Sequence, residues 1–305
     1  MPRLTILIPP LTRDRLFHDT VRQLLTQRYT DWELWLIDQS DPAQRARNEA
    51  LVAELADPRI HYVHLQQKGL PNARNEGMAR MDKGAEVLLF LDDDVILLND
   101  DFLDVHMENF KNPEVGGVTG RIVERTVRPN IYHTANHLSP GGRTITNLWG
   151  TERCEIATLK GANMSYRMAA VQQVGGFDRR YDGSALLEDA DYSTRIHKAG
   201  WKLIFDPRAE LVHLSAPSGG VRLEHALRYE YYRFKSTAYF QLKHRGPRAF
   251  PVFLGAFGGI AVKRALAWRS PTVLPELAKA VAEGVSAWRS GADEAIPTLK
   301  VGEST

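Results

Sequence analysis

With 305 residues, 43% of them hydrophobic and 25% charged, the chain has a globular composition and the length of one large domain or two smaller ones. A net charge of +2 argues against a generally basic nucleic-acid binder, so no nucleic-acid partner is expected. A single cysteine, Cys154, excludes an internal disulfide and suits a reducing cytoplasm.

The opening MPRLTILIPP has too short an apolar run for a secretory leader and lacks a small-residue cleavage site. It reads instead as a first strand, residues 4–8, stopped by Pro9-Pro10. A helical pattern over 15–29 follows, with Leu16, Val21, Leu24 and Leu25 on one side. Strands are expected at 33–38, 60–65 and 86–91, and helices at 43–56 and 72–83. Apolar strands alternating with helices imply a mostly parallel sheet covered on both faces. Ligands of such sheets bind at the carboxyl ends of the strands. Residues 9–15, 38–41 and 92–94 all fall there.

Residues 113–185 are less regular, with Gly116-Gly117, Gly141-Gly142, Gly161 and Gly175-Gly176, and read as short strands and loops shaping a pocket. A helix over 188–199 ends at Gly200. Two short strands, 202–205 and 210–214, are expected on either side of a turn at Asp206-Pro207. Only helices are expected from 221 onward. The composition changes after the Ser215–Gly220 stretch, which suggests domains at 1–216 and 217–305.

Asp92, Asp93 and Asp94 directly follow the apolar run Val87-Leu88-Leu89-Phe90-Leu91. One acid suffices to cap a following helix. Three like charges beside a buried strand ask for a cation, and hard ions such as Mn²⁺ or Mg²⁺ prefer carboxylate oxygens. A second acidic cluster, Glu188, Asp189 and Asp191, opens the 188–199 helix. Acids there suit the helix dipole. They also suit a general base held on a rigid element. His213, in a short strand, is either a satisfied core residue or a metal ligand. His133 and His137 have a zinc-like spacing, but they lie between Pro129 and Pro140 in a loop-like stretch.

Taken in order, these segments resemble the inverting family 2 glycosyltransferases of the GT-A fold, in particular rhamnosyltransferase-like bacterial members. The resemblance runs from about residue 4 to 215. It is carried by Ile8–Arg15, Glu33–Asp41, Lys68–Gly77, Phe90–Val95, Lys160–Arg167, Gly175–Asp178, Glu188-Asp189 with Arg195 and Gly200-Trp201, and Pro207–His213. It implies a GT-A nucleotide-diphospho-sugar transferase sheet with a C-terminal helical extension. It further implies that Thr12, Arg15, Asp38, Arg74, Asp92 and Asp93 bind the nucleotide and that Asn163 lies near the donor sugar. Asp94 and His213 would hold Mn²⁺ or Mg²⁺, Asp189 would be the catalytic base, and Glu188 and Asp191 would shape the acceptor site. The implied partners are a UDP-, dTDP- or GDP-sugar donor and a glycan or lipid-linked acceptor. Leu11 and Gln39 depart from the family pattern; Gln39 stands where a second acid is usual.

Residues 221–270 hold ten Lys/Arg and two acids, interleaved with aromatics, and then an uncharged run at 249–262. That run is short of the roughly 20 residues that span a bilayer. Its basic, aromatic surroundings suit peripheral contact with an anionic membrane at its cytoplasmic face, or a solvated helical subdomain. Two other readings compete with a transferase. A sugar-nucleotide nucleotidyltransferase would want a glycine-rich loop at 9–15, which holds no glycine. A binding protein that has lost catalysis is the other.

Overall fold

The computed structural model describes residues 3–12, 15–82, 84–124, 136–146, 148–215, 226–291 and 296–298. The first half alternates as its sequence implies: β1 (Leu4–Ile8), α1 (Arg15–Leu25), β2 (Trp32–Asp38), α2 (Pro42–Leu55), β3 (Ile60–His64), α3 (Leu70–Arg80) and β4 (Val87–Leu91). Every residue of β1 and β4 is buried, as expected of central strands covered on both faces. In α1 the buried residues Phe17, Thr20, Val21 and Leu24 recur at helical spacing and form the inward stripe. This helix ends four residues earlier than its periodicity predicts. Beyond Leu25 the chain turns toward the loop at 99–100, where the Gln27 side chain and the Arg28 N–H bond the carbonyls of Asn99 and Asp100. Asp41 caps α2 by accepting from the N–H groups of Ala43 and Gln44, with Pro42 in the first turn; Pro71 stands likewise in α3. Both prolines occupy positions where a missing N–H has no consequence.

The second half completes the sheet. It contributes β5 (Val95–Leu97), α4 (Phe102–Asn109), β6 (Val115–Glu124), the β7–β8 pair (His137–Leu138 and Thr144–Ile145), β9 (Cys154–Ile156) and β10 (Asn163–Arg167). Then come α5 (Met168–Val174), α6 (Glu188–Lys198) and β11 (Lys202–His213). The main sheet runs β3-β2-β1-β4-β10-β6-β11-β5, with β9 on β11. Strands β1 to β4 are parallel, β10 is antiparallel to both its neighbours, and β6 and β11 are parallel. This is the mixed, mostly parallel sheet that the sequence leads one to expect.

Strand β11 differs from expectation: it is one element, not two. Pro207 lies where the β6–β11 register shifts between Asp206 and Leu211. A bulge tolerates proline because no ladder bond needs its N–H. The same irregularity brings the Ala209 carbonyl so close to Gly120 that a Cβ there would overlap it.

Three long helices follow: α7 (Ala226–Arg245), α8 (Phe250–Trp268) and α9 (Val273–Arg289). They share a small core of Phe234, Phe253, Phe257, Val273 and Leu277, each contributing about 1.5–3 kcal/mol when fully buried. Helix α7 also packs on the sheet-bearing half, where Tyr239 and Phe240 join Leu138, Tyr181 and Ala190. The expected boundary at 216/217 falls within residues 216–225, outside the described residues.

Candidate active site

Strands β1 and β4 are neighbours, yet the chain passes from β1 to β2 on one side and reaches β4 on the other. That switch opens a crevice beyond their carboxyl ends. The three aspartates sit there, in the tight turn between β4 and β5. Strand β5 pairs antiparallel with the end of β11, so Val95 faces His213, and the Leu214 N–H donates to the Asp94 carbonyl (2.9 Å). This register places His213 Nε2 3.2 Å from Asp94 Oδ1 and 3.5 Å from Asp92 Oδ2.

Ligand atoms of Asp92, Asp94 and His213 all lie within 4.8 Å of one another, and they form the one such group found among the described residues. Two carboxylates and an imidazole fit a hard divalent ion that shares its remaining positions with phosphate oxygens. Asp92, assigned from the sequence to the nucleotide alone, thus stands among the candidate metal ligands. Behind His213, Nδ1 pairs with Glu124 Oε1 at 2.8 Å, because the β6–β11 register sets these residues side by side. Burial alone would lower the imidazole pKa. The bonds to Asp94 and Glu124 and the charges of Asp92 and Asp94 outweigh that and raise it to about 10. Glu124 therefore orients the ring in the manner of an outer-sphere partner. Sequence reasoning missed it, since an acid at the end of a strand carries no signal until its neighbour is known.

The opposite wall is the start of α6. Its entry is strained: Ala185 and Leu187 both hold left-handed backbones, φ 52° and 70°, a conformation that non-glycine residues rarely adopt. Asp189 is half-buried. Its Oδ2 accepts from the Gly161 N–H (3.1 Å) and its Oδ1 from the Ala190 N–H (2.7 Å). Glu188 is buried, with Oε1 2.5 Å from Nη1 of Arg74. Arg74 is itself only 1% exposed and lies over the rings of Phe90 and Phe177. Burial pushes the Glu188 carboxyl up to about 8, against the pull of Arg74 and with the help of Asp189 and Asp92. Its other oxygen, Oε2, is buried without a hydrogen-bond partner among the described residues. Gly161 stands between these groups: a Cβ there would lie 3.2 Å from Arg74 Nη2 and 3.4 Å from Glu188 Oε1.

One cavity of about 470 Å³ joins the two walls, lined among others by Arg74, Asp92, Lys160, Glu188, Asp189 and His213. Lys160, at the head of a recognised segment, is a second lining residue not singled out from the sequence. The remaining candidates lie elsewhere. Asp38 is fully buried: Oδ1 accepts from the Ser40 N–H (2.8 Å), and Oδ2 from Asn48 (2.9 Å) and the Tyr62 hydroxyl (2.5 Å). Asp93 accepts from the Leu11 N–H (3.1 Å). Thr12, at φ 54°, donates its N–H to the Ser40 hydroxyl (2.7 Å). Asp93 and Thr12 tie the loops after β1, β2 and β4 together, and Asp38 anchors the end of β2 to α2 and β3. Arg15 is exposed at the start of α1.

Asn163 and Asp191 are turned away from the cavity. Asn163 bonds His106 Nε2 (2.9 Å) and the Ala209 carbonyl (2.9 Å) inside the sheet. Asp191 sits two residues beyond Asp189 on α6, among Tyr181, Arg195, Lys243 and His244. A residue two positions after Asp189 on a helix projects about 200° around it, which is why one acidic cluster serves two sides. Gln39 clasps the backbone of Gly69, accepting its N–H (2.7 Å) and donating to its carbonyl (3.3 Å). It thereby fixes the start of the helix that carries Arg74. Of the histidine pair, His133 lies outside the described residues and His137 is in β7.

This sheet, with its acids at the switch point, has the architecture of the GT-A glycosyltransferases. Solved structures of that class superpose on nearly the whole chain. The mannosyltransferase PcManGT from Pyrobaculum calidifontis, in complex with GDP-Man and Mn²⁺, aligns with a TM-score of 0.60 at 19% identity over 96% of this chain and 80% of its own. S. aureus TarS with UDP-GlcNAc gives 0.66 at 12% identity over 97% and 84%.

The description "Glycosyltransferase like family 2" fits residues 2–245, and the chain belongs to that family. The O-antigen biosynthesis protein RfbC of Myxococcus xanthus is 26% identical over 229 residues, 71% of this chain and 18% of RfbC. The N-acetylglucosaminyl-diphospho-decaprenol L-rhamnosyltransferase of Mycobacterium tuberculosis (strain ATCC 25618 / H37Rv) is 36% identical over 101 residues, 30% of this chain and 32% of that enzyme. The chain thus spans less than a third of the length of these two relatives.

Proposed function

We propose that this glycosyltransferase moves a sugar from a nucleoside-diphosphate donor to a hydroxyl of a glycan or lipid-linked saccharide, with inversion and with a bound Mn²⁺ or Mg²⁺. The observation that carries the reading is one cavity lined by Asp92 and His213, with buried Asp94 beside them, and by Asp189. Asp92, Asp94 and His213 would hold the ion, which would supply charge stabilisation to the departing nucleoside diphosphate.

The chain's own residues do the rest. Asp189, held by the Gly161 N–H, takes the proton of the acceptor hydroxyl. The acceptor oxygen forms its bond to the anomeric carbon as the bond to the phosphate oxygen breaks, and the electron pair leaves with the diphosphate. One displacement inverts the centre. Arg74, Glu188 and Lys160 line the cavity beside Asp189. Asp93 and Thr12 shape the nucleoside end through the loops they tie together, Asp38 through the end of β2 that it anchors, and Asn163 supports the donor side from within the sheet. Residues 1–216 form the catalytic domain and 217–305 its helical extension. The setting that fits is bacterial cell-envelope polysaccharide synthesis in the cytoplasm, at the membrane where lipid-linked acceptors reside.

Calorimetry with UDP, GDP and dTDP, with and without Mn²⁺, tests this reading. One nucleotide is expected to bind tightly only with the metal, and Asp94→Ala is expected to abolish that gain. Absence of metal-dependent binding for all three would sink the donor-site assignment. In the same assay Glu124→Ala is expected to weaken metal-dependent binding about 10–100-fold, since it frees the His213 ring. An unchanged affinity would remove Glu124 from the site.

A further inference from the structure

Helix α8 carries an apolar face that nothing among the described residues covers. Together with the short turn before it, Pro247–Trp268 is long and apolar enough to cross a bilayer, yet only 17% of its most apolar stretch is buried. Phe253, Phe257 and Ala261 face inward against α7 and α9. Val252, Leu254, Val262 and Leu266 face outward, 54%, 47%, 50% and 73% exposed. Between them Gly255, Gly258 and Gly259 look into open space. From Pro247 to Arg269 the segment holds no acid; Arg264 pairs with Glu230 of α7 (2.9 Å), and the other three cations, Arg248, Lys263 and Arg269, are exposed.

We propose that the outward face of α8 is a membrane-binding surface, lying in the headgroup region of an anionic bilayer. An interfacial helix buries an apolar face while flanking cations meet lipid phosphates, and this helix has both parts. A transmembrane placement would pull Phe253 and Phe257 out of the core they share with Phe234. A second copy across a twofold axis would set these cations against their own kind. The end of α8 also reaches the active site. Arg264 and Trp268 line a second hollow that shares Glu124, Ser184, Leu186 and His213 with the metal cavity. A membrane under α8 therefore presents a lipid-borne acceptor to that side of the site. This last step rests on the proposed transferase reaction; the membrane contact does not.

Flotation of the full chain with vesicles of phosphatidylcholine alone, or with a quarter phosphatidylglycerol, tests the surface without any acceptor present. The chain is expected to float with the anionic vesicles and to stay below with the neutral ones. Val262→Asp with Leu266→Asp is expected to lower the floating fraction at least about tenfold. Lys263→Glu with Arg269→Glu should do so by a similar factor, as should high salt. These exposed positions leave the fold intact, which unchanged metal-dependent nucleotide binding by calorimetry verifies. If nucleotide binding is lacking even in the unmodified chain, the donor reading fails while flotation still decides the surface. Three results would overturn the proposal. They are an unmodified chain left behind by anionic vesicles, an aspartate variant that floats as well as the original, and a dimer that the aspartate variant splits, which assigns the face to a second copy.

Discussion

Asp189→Asn is expected to lower turnover about a thousandfold while leaving metal-dependent nucleotide binding unchanged. The amide keeps the shape of the carboxylate and can still accept from the Gly161 N–H at Oδ2's position, but it cannot take a proton. The second oxygen accepts from the Ala190 N–H; its replacement by an NH₂ group leaves that donor exposed to the cavity, a small perturbation beside the lost base. The measurement is the release of nucleoside diphosphate with saturating donor and acceptor. A variant within about fivefold of the original would remove Asp189 as the base. Glu188 is the rival, and pH separates the two. Its carboxyl is pushed up to about 8 by burial. A base of that kind would give a rate rising with pH up to about 8 and flat above it, and Glu188→Gln would then be the severe variant.

The second large effect is on stability. Asp191→Asn is expected to cost about 3–5 kcal/mol at neutral pH, because it removes one partner of a buried ion network. Asp191 is inaccessible and contacts Lys243 Nζ (2.6 Å), His244 Nε2 (2.7 Å) and Arg195 Nε (3.0 Å). Lys243 also bonds Asp178 at 2.6 Å, as does the Tyr239 hydroxyl. Burial alone would raise the Asp191 pKa. Lys243, His244 and Arg195 reverse this and hold it far below the usual carboxylate range. A carboxylate depressed in the folded state contributes stability above its unfolded pKa of about 4 and loses that contribution as pH falls through the folded value. The gap between the two proteins is therefore expected to be widest at neutral pH and to narrow below about pH 4. Urea titrations at neutral and acid pH measure it; a difference under about 1 kcal/mol at neutral pH would show that the network contributes little.

The elements that were legible share a physical cause. Strands β1 and β4 are continuous apolar runs with abrupt stops, and α2 and α3 carry Pro42 and Pro71 at their starts, so their place in a parallel sheet follows from local pattern. Asp92, Asp94 and His213 stood out as residue types that need a partner. What was not legible depends on register between distant strands. Glu124 reaches His213 only because β6 and β11 run side by side. Asn163 meets His106 inside the sheet, and Asp38 is consumed by Asn48 and Tyr62. Pro207 marked a break that a bulge absorbs. Asp191 looked like a neighbour of Asp189 in sequence, and the turn of the helix sends it to α7 instead.

The pairing of β5 with the end of β11 also bears on assembly. Asp94 and His213 are separated by roughly 120 residues, so closing that span carries the entropy of a long loop, and such contacts form late in folding. Strand β5 is an edge strand that also rests on α1, where Thr20 Oγ1 and Gln23 Oε1 accept the N–H groups of Val95 and Leu97, and its pairing with β11 is what brings His213 to Asp94. The Asp92–Asp94–His213 group is therefore complete only when the whole sheet is. A partly folded chain could display the parallel strands of its first half and still keep His213 apart from Asp92 and Asp94.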